Sequence, residues 1–278
     1  MDIVNNIWFA IGEFFWNMNS RLAVLYLVST VVIAFVIWLS KGRPDTFLKW
    51  LIPAAVDRHK SNLLDIKIFL FNSVLMLGGF FALVSFTPMV TIGLLDLFVG
   101  LSGEAYAPAE FSLLRSAIAT VIMILTLDFC KYWGHYIHHE HPALWPFHAV
   151  HHSAEVMTPL TVGRVHPMFR VFQTMFVALI ASAVQTVILF AVMGKIDLIT
   201  IGSANVGYVV FNMLGSNLCH SHIWLSYGRF WKHIFISPAQ HHIHHSSDKK
   251  TLTKTTVKCL LFGIGCSARS TSPIAKST

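Results

Sequence analysis

Charge is scarce in this sequence. Asp, Glu, Lys and Arg together make up 12% of its 278 residues, roughly half the share of an ordinary soluble domain, which excludes a well-solvated globular surface. The four cysteines, Cys130, Cys219, Cys259 and Cys266, show no C-x2-C spacing. Two of them sit in apolar runs, so a disulfide framework and a zinc knuckle are both excluded. No basic groove with interleaved aromatics accompanies the formal charge of +7. That charge reads as affinity for anionic lipid, not for nucleic acid. A cleavable leader is not expected either: Asp2 and Glu13 stand where a basic n-region belongs, and no small-residue cleavage site follows the first apolar run.

What the chain has is apolar length. Hydrophobic residues make up 55%, and they come in runs at 22–39, 68–86, 113–130, 171–193 and 198–214. Each approaches the ~20 residues needed to cross a bilayer. The stretch 88–101 is also apolar, but it follows Pro88 and carries Asp96, so it reads as a continuation or an interfacial helix. These runs predict an all-α integral membrane protein with about four to five transmembrane helices. With five spans, one side receives Lys41, Arg43, Lys49, Arg58, Lys60, Lys67, Lys131, Arg164, Arg170, Arg229, Lys232, Lys249 and Lys250, and the other only Arg21, Arg115 and Lys195. The positive-inside rule then sets the N-terminus outside.

That topology brings the histidines to one face. Eleven of the sixteen lie in two windows, 135–152 and 241–245, and both windows fall on the cytoplasmic side, as a helical cap. Three boxes stand out: His135 and His139 (H-x3-H), His148, His151 and His152 (H-x2-H-H), and His241, His244 and His245 (H-x2-H-H). Side chains three or four apart share a helix face, and neutral imidazole is the commonest metal ligand. The third box has a readable helix start: a capping Ser237, Pro238 at the first position and Gln240 at the third. Eight imidazoles are too many for one ion, since a structural zinc takes four ligands and a catalytic one usually three. Two metals are expected, with His222, His220 and His166 as candidates for a further ligand.

The order of the boxes, with LWPFHAVHHS at 144–153 and HSHIWLS followed by ISPAQHHIHHS within 220–246, resembles the fatty acid hydroxylase/sterol desaturase superfamily over roughly residues 70–250. The resemblance implies a membrane-embedded di-iron oxygenase that hydroxylates or desaturates a lipid, sterol, fatty acyl or related, using O2. It implies that His135, His139, His148, His151, His152, His241, His244 and His245 ligate two iron ions. It also implies an additional ligand ahead of the last box, for which His222 is favoured over His220. Tyr136 stands where many relatives have arginine. Asp128, Glu140, Glu155 and Asp248 are candidates to hold ring N–H groups. An unactivated C–H bond offers no proton to a base and no carbonyl to a nucleophile, so the oxidising power belongs to a cofactor. The chain carries no dinucleotide fingerprint and no haem or iron–sulfur motif, which makes the electron donor a separate protein. A membrane metal carrier and a catalytically inactive lipid-binding relative are the alternatives. Iron-dependent O2 consumption separates the enzyme from both.

Three regions follow: an N-terminal span and basic segment (1–66), a catalytic domain (67–250) and an anomalous tail (251–278). After HHSSDKK the chain becomes rich in Ser and Thr and lacks the ending the resemblance calls for. With codons chosen within the code's degeneracy and the frame set back by one nucleotide, 253–278 reads DKNYGEMFAIWDWMFGTLYIPNRKEY, a family-like ending throughout. The tail is therefore expected to be frame-shifted. Resequencing the coding DNA should reveal a single-nucleotide change near codon 251; independent reads of an unbroken frame would refute it. The frame-shifted chain is further expected to lose stability or lipid oxidation relative to a frame-restored version, and equal activity would contradict that.

Overall fold

The computed structural model describes residues 12, 15–18, 20–81, 86–103, 112–190, 209–210, 212–231 and 235–246. Most of the run 198–214 and all of the tail lie outside them. Among the described residues the regular structure is entirely helical, with no strand. The principal helices are α1 (Val24–Ser40), α2 (Lys60–Leu77), α3 (Thr87–Ser102), α4 (Leu113–Glu140), α5 (Trp145–His152), α6 (Pro167–Ile188) and α7 (Pro238–His244). Two 3-10 turns, Pro159–Gly163 and Ser216–His220, complete the frame that carries the histidines.

Two helices, α4 and α6, are long and apolar enough to cross a membrane, and α1 and α3 are shorter apolar helices. The 28 residues of α4 extend about 42 Å at 1.5 Å per residue, against ~30 Å of hydrocarbon. The excess carries His135 and His139 past the apolar stretch. Leu113, Leu114, Ile118, Val121, Leu125 and Phe129 remain exposed along α4, as a lipid-facing surface requires. The run expected at 68–86 is displaced: α2 starts at Lys60 and stops at Leu77, before a turn in which Gly79 takes a φ of +75°. Its polar residues Asp65 and Asn72 point inward and are buried, so hydropathy alone misses the first turns. The stretch 88–101 forms its own helix, α3, packed on α6.

The bundle is joined by polar contacts between close backbones. Ser182 Oγ donates to the Thr87 carbonyl at 3.0 Å and Thr186 Oγ1 to that of Thr91 at 3.2 Å, linking α6 to α3. Gln173 Nε2 donates to the Cys130 carbonyl at 3.1 Å, linking α6 to α4. The Gln173 side chain lies directly over Gly134, where a Cβ would collide with it. Such interhelical bonds and small-residue approaches hold helices together where lipid offers no hydrophobic drive.

A buried ion pair ties this bundle to the histidine-bearing turns. Arg164 Nη1 lies 2.9 Å from Asp65 Oδ1, with side chains 4% and 0% exposed. The rest of the guanidinium is also used: Nε donates to the Val150 carbonyl at 3.0 Å, and Nη2 to the Ser153 carbonyl at 3.0 Å and its Oγ at 2.7 Å. Val150 and Ser153 end α5, whose last carbonyls lack partners within the helix. Asp65 Oδ2 accepts from Thr161 Oγ1 at 2.5 Å. One pair thus fixes α2, the end of α5 and the 159–163 turn together.

One contact joins the segment before α1 to the histidine-bearing turns. Arg21, assigned to the face opposite the histidines, donates through Nη1 to the Ser216 carbonyl at 3.4 Å, and its own carbonyl accepts from Asn217 Nδ2 at 3.0 Å. The chain entering α1 therefore sits beside the turn that ends in His220. Packing explains the placement: Ala34 and Ile37 of α1 share one buried cluster with Leu218 and Ile223.

Asp65→Ala leaves the Arg164 charge buried and unpaired. A loss of about 3–5 kcal/mol is expected, measured by chemical denaturation in detergent. The Asp65→Ala/Arg164→Met double variant should recover a substantial part of it, because the orphaned charge is gone; additive losses would contradict this.

Candidate metal centre

Nine histidine side chains converge in two groups. His135, His139, His148, His152 and His244 form the first, and His151, His220, His241 and His245 the second, with the candidate ligand atoms of each group within 4.8 Å of one another. Each box is split between the groups or shared with another element. The second box sends His148 and His152 to one group and His151 to the other, because 148 and 152 lie one turn apart on α5 while 151 is offset by about 60° from 148 and about 100° from 152 around the axis. In the third box His244 joins the first group while His241 and His245 join the second.

The Nε2 atoms face inward. In the first group His135 lies 2.9 Å from His244 and 3.1 Å from His139, and His148 lies 3.1 Å from His152. In the second, His220 lies 3.2 Å from His151 and 3.0 Å from His241, which lies 3.1 Å from His245. A shared proton satisfies one such pair of lone pairs; a cation satisfies a whole group. With a metal–nitrogen distance of about 2.05 Å, ligands at right angles sit about 2.9 Å apart, whereas tetrahedral ligands sit about 3.35 Å apart. The observed spacings, 2.9 to 3.2 Å, lie between the two and fit nitrogens gathered on a shared cation. Five converging nitrogens exceed what a four-coordinate zinc accepts.

Local structure sets each ring. Ser237 Oγ accepts from the Gln240 amide and Gln240 Oε1 from the Ser237 amide, so the expected capping box starts α7 and aims its first turn. Arg164 holds the end of α5, as described above. His148 stacks on Phe169 with ring centroids 4.7 Å apart, and His139 meets Trp145 at 5.3 Å. Gly134 lets α6 approach the turn that carries His135.

Electrostatics favour ligation. Burial pushes His151 down to about 4, partly offset by the nearby Arg164 and Thr161 carbonyls. Burial first, then the neighbouring imidazoles, holds His148, His152, His220, His241 and His245 well below the ordinary histidine range. Those rings stay neutral near pH 7, and a neutral ring is the form that binds a metal.

The structure gathers all eight box histidines but corrects the ninth. His222, favoured from the sequence, turns away: its Nε2 lies 2.8 Å from the Trp50 carbonyl and it belongs to neither group. His220 takes the place instead. Leu218 and Ile223, buried against α1, fix the rotation of this segment, and no local spacing reveals that. His166 is also outside, since its Nδ1 caps α6 by accepting from the Met168 amide at 3.1 Å. His138 bonds the Gly134 carbonyl at 2.6 Å and packs on Phe169. Of the carboxylates proposed to support the rings, Glu140 is exposed, and Glu155 meets His59 at 3.8 Å with its side chain 77% exposed; Asp248 lies outside the described residues. Asp128 is buried on α4; sequence reasoning missed Asp65, whose carboxylate holds Arg164 and Thr161. Its one signal was to be the sole acid of α2, among the helix's Lys, Asn and Ser residues.

The ornithine lipid hydroxylase OlsE of Rhizobium tropici is 38% identical over 50 residues, which cover 18% of this chain and 15% of that protein. The aligned part is thus well under two thirds of that relative's length. No solved structure matches. Residues 120–259, half of the chain and the part that holds all nine converging histidines, match the family described as fatty acid hydroxylase. The chain belongs to the fatty acid hydroxylase family.

Proposed function

We propose that this protein is a membrane-bound non-haem di-iron oxygenase that hydroxylates a lipid, using O2 and electrons delivered by a separate protein. The division of nine converging Nε2 atoms into sets of five and four carries the reading. Two sets call for two ions, and the first, with five nitrogens, offers more positions than a four-coordinate zinc takes. Two ferrous ions, held by the first and second groups, would supply the oxygen chemistry that an unactivated C–H bond demands.

The chain's own residues supply position and dryness. Buried His148, His151, His220 and His244 shut water from the site. Phe169 and Trp145 keep the rings from turning. The exposed apolar flanks of α4 and α6 offer a lipid chain a route to the histidine-bearing end of the bundle. We place that end at the cytoplasmic surface, where the basic residues gather. Hydroxylation is favoured over desaturation by the family description and by the name of the bacterial relative.

The test is metal content and O2 uptake with reductant on detergent-purified protein, compared with His244→Ala and His151→Ala, which remove one ligand from each group. About two irons per chain are expected, falling toward about one in each variant, with uptake lost in both. Metal without O2 uptake would mean a carrier or an inactive relative, and no bound iron would refute the reading.

A further inference from the structure

A cavity of about 390 Å³ is walled in part by the 159–163 turn, and no histidine is among its described lining residues. Its walls come from the residues before α1, one face of α2, the turn itself and the first turn of α6. Two arginines, Arg21 and Arg170, line it, and no Asp or Glu is among its described lining residues. Arg21 is anchored by the Ser216 carbonyl. The Arg170 guanidinium packs over the Phe81 ring at 5.1 Å and meets no carboxylate or hydrogen-bond acceptor among the described residues. Nearby Asn72, 4% exposed, spends its amide N–H groups on the Gly163 and Val165 carbonyls, at 3.3 and 2.9 Å, and so holds the wall rigid. Its size is that of a small-molecule site.

Two cationic side chains beside an apolar wall, without an acid to neutralise them, form a site for an anion. The remaining lining narrows the anion further. Phe69, Leu160 and Val162 are apolar, and Met76 both lines the cavity and is 38% exposed. Its neighbours Val74 and Leu77 are exposed at 67% and 58%. The mouth therefore opens beside an apolar surface that a free inorganic anion has no reason to approach and a lipid tail does. Both walls also reach the histidines. Pro159, Leu160, Val162 and Gly163 face the cavity, while Thr161, between them, bonds Asp65 and the next residue, Arg164, holds the end of α5. Arg21 bonds Ser216 and Asn217, a few residues before His220.

We propose that this cavity binds the anionic head group of a lipid, phosphate or carboxylate, between Arg21 and Arg170, and so anchors the amphiphile whose chain the histidine centre acts on. The substrate class is then an acidic lipid. The last step rests on the hydroxylase reading; the binding itself does not.

The experiment measures binding to the full chain in a non-ionic detergent by calorimetry, with dodecyl phosphate as probe and dodecanol and inorganic phosphate as controls. Dodecyl phosphate is expected to bind at least about tenfold more tightly than either control, because charge and chain are both required. Arg170→Gln should weaken it about tenfold, Arg170→Lys should restore most of the affinity, and Met76→Trp, which fills the mouth, should block it. Iron content measured on each variant should equal that of the unaltered chain, which shows the histidine-bearing segments intact. Equal binding of dodecanol, equal binding of inorganic phosphate, or full affinity in Arg170→Gln would each overturn the proposal. O2 uptake is recorded separately: uptake without head-group binding defeats only the cavity, and binding without uptake defeats only the hydroxylase reading.

Discussion

The Arg164–Asp65 pair is the constraint on which the rest of the structure depends. A buried ion pair loses hydration on both sides, and its Coulomb attraction repays that only when the remaining donors and acceptors are also satisfied. Here they are, by Val150, Ser153, Ser61 and Thr161. Replacing the pair with hydrocarbon would keep volume and lose direction. The guanidinium's planar fork reaches the end of α5 and the start of α2, and its partner carboxylate reaches Thr161 of the 3-10 turn, all at fixed angles. Histidines 148, 151 and 152 must point into two separate groups from two turns of helix, and a short helix with a free end would not hold that orientation.

Membrane anchoring and metal ligation meet on one element. Helix α4 is apolar and lipid-facing for most of its length, and its last turns carry His135 and His139. A helix that projects beyond the hydrocarbon keeps its backbone bonds while its side chains change from Leu and Ile to imidazole. Rigidity is inherited from the bundle: Gln173 against Gly134 and Cys130 pins α6 to this stretch just before the first box. A site built on such an element suffers less drift than one borne on loops.

Much of this was legible in the sequence because it is local. The histidine boxes follow the helical period, so their faces can be read from spacing alone. The α7 start could be read from Ser237, Pro238 and Gln240, whose capping chemistry involves only neighbours. The choice between His220 and His222 was different in kind. Two residues apart in an irregular segment, they are distinguished by Leu218 and Ile223 packing on α1, some 180 residues earlier in the chain. The same holds for Asp65, whose partner is 99 positions away. Hydropathy placed the start of α2 too late for that reason: its buried polar residues look like a break in a span until their distant partners are known. The contact of Arg21 with Ser216 was likewise out of reach, because charge counting sees the order of apolar runs and not how distant segments pack.

The 159–163 turn gives the protein a two-sided wall. A 3-10 turn has three residues per turn, so neighbouring side chains are thrown to different sides. Leu160 and Val162 face the arginine-lined cavity, and Thr161 faces Asp65. Thr158 and Thr161 close the turn on themselves through a reciprocal capping box, which resists flexing from either side. In the head-group reading, a rigid turn between cavity and ion pair lets an amphiphile's polar end be held without flexing the segment that carries Arg164. Of the two arginines, Arg170 is the one that can be changed without touching the histidine-bearing turns, because Arg21 also bonds Ser216, while the Arg164–Asp65 pair keeps the end of α5 where it is.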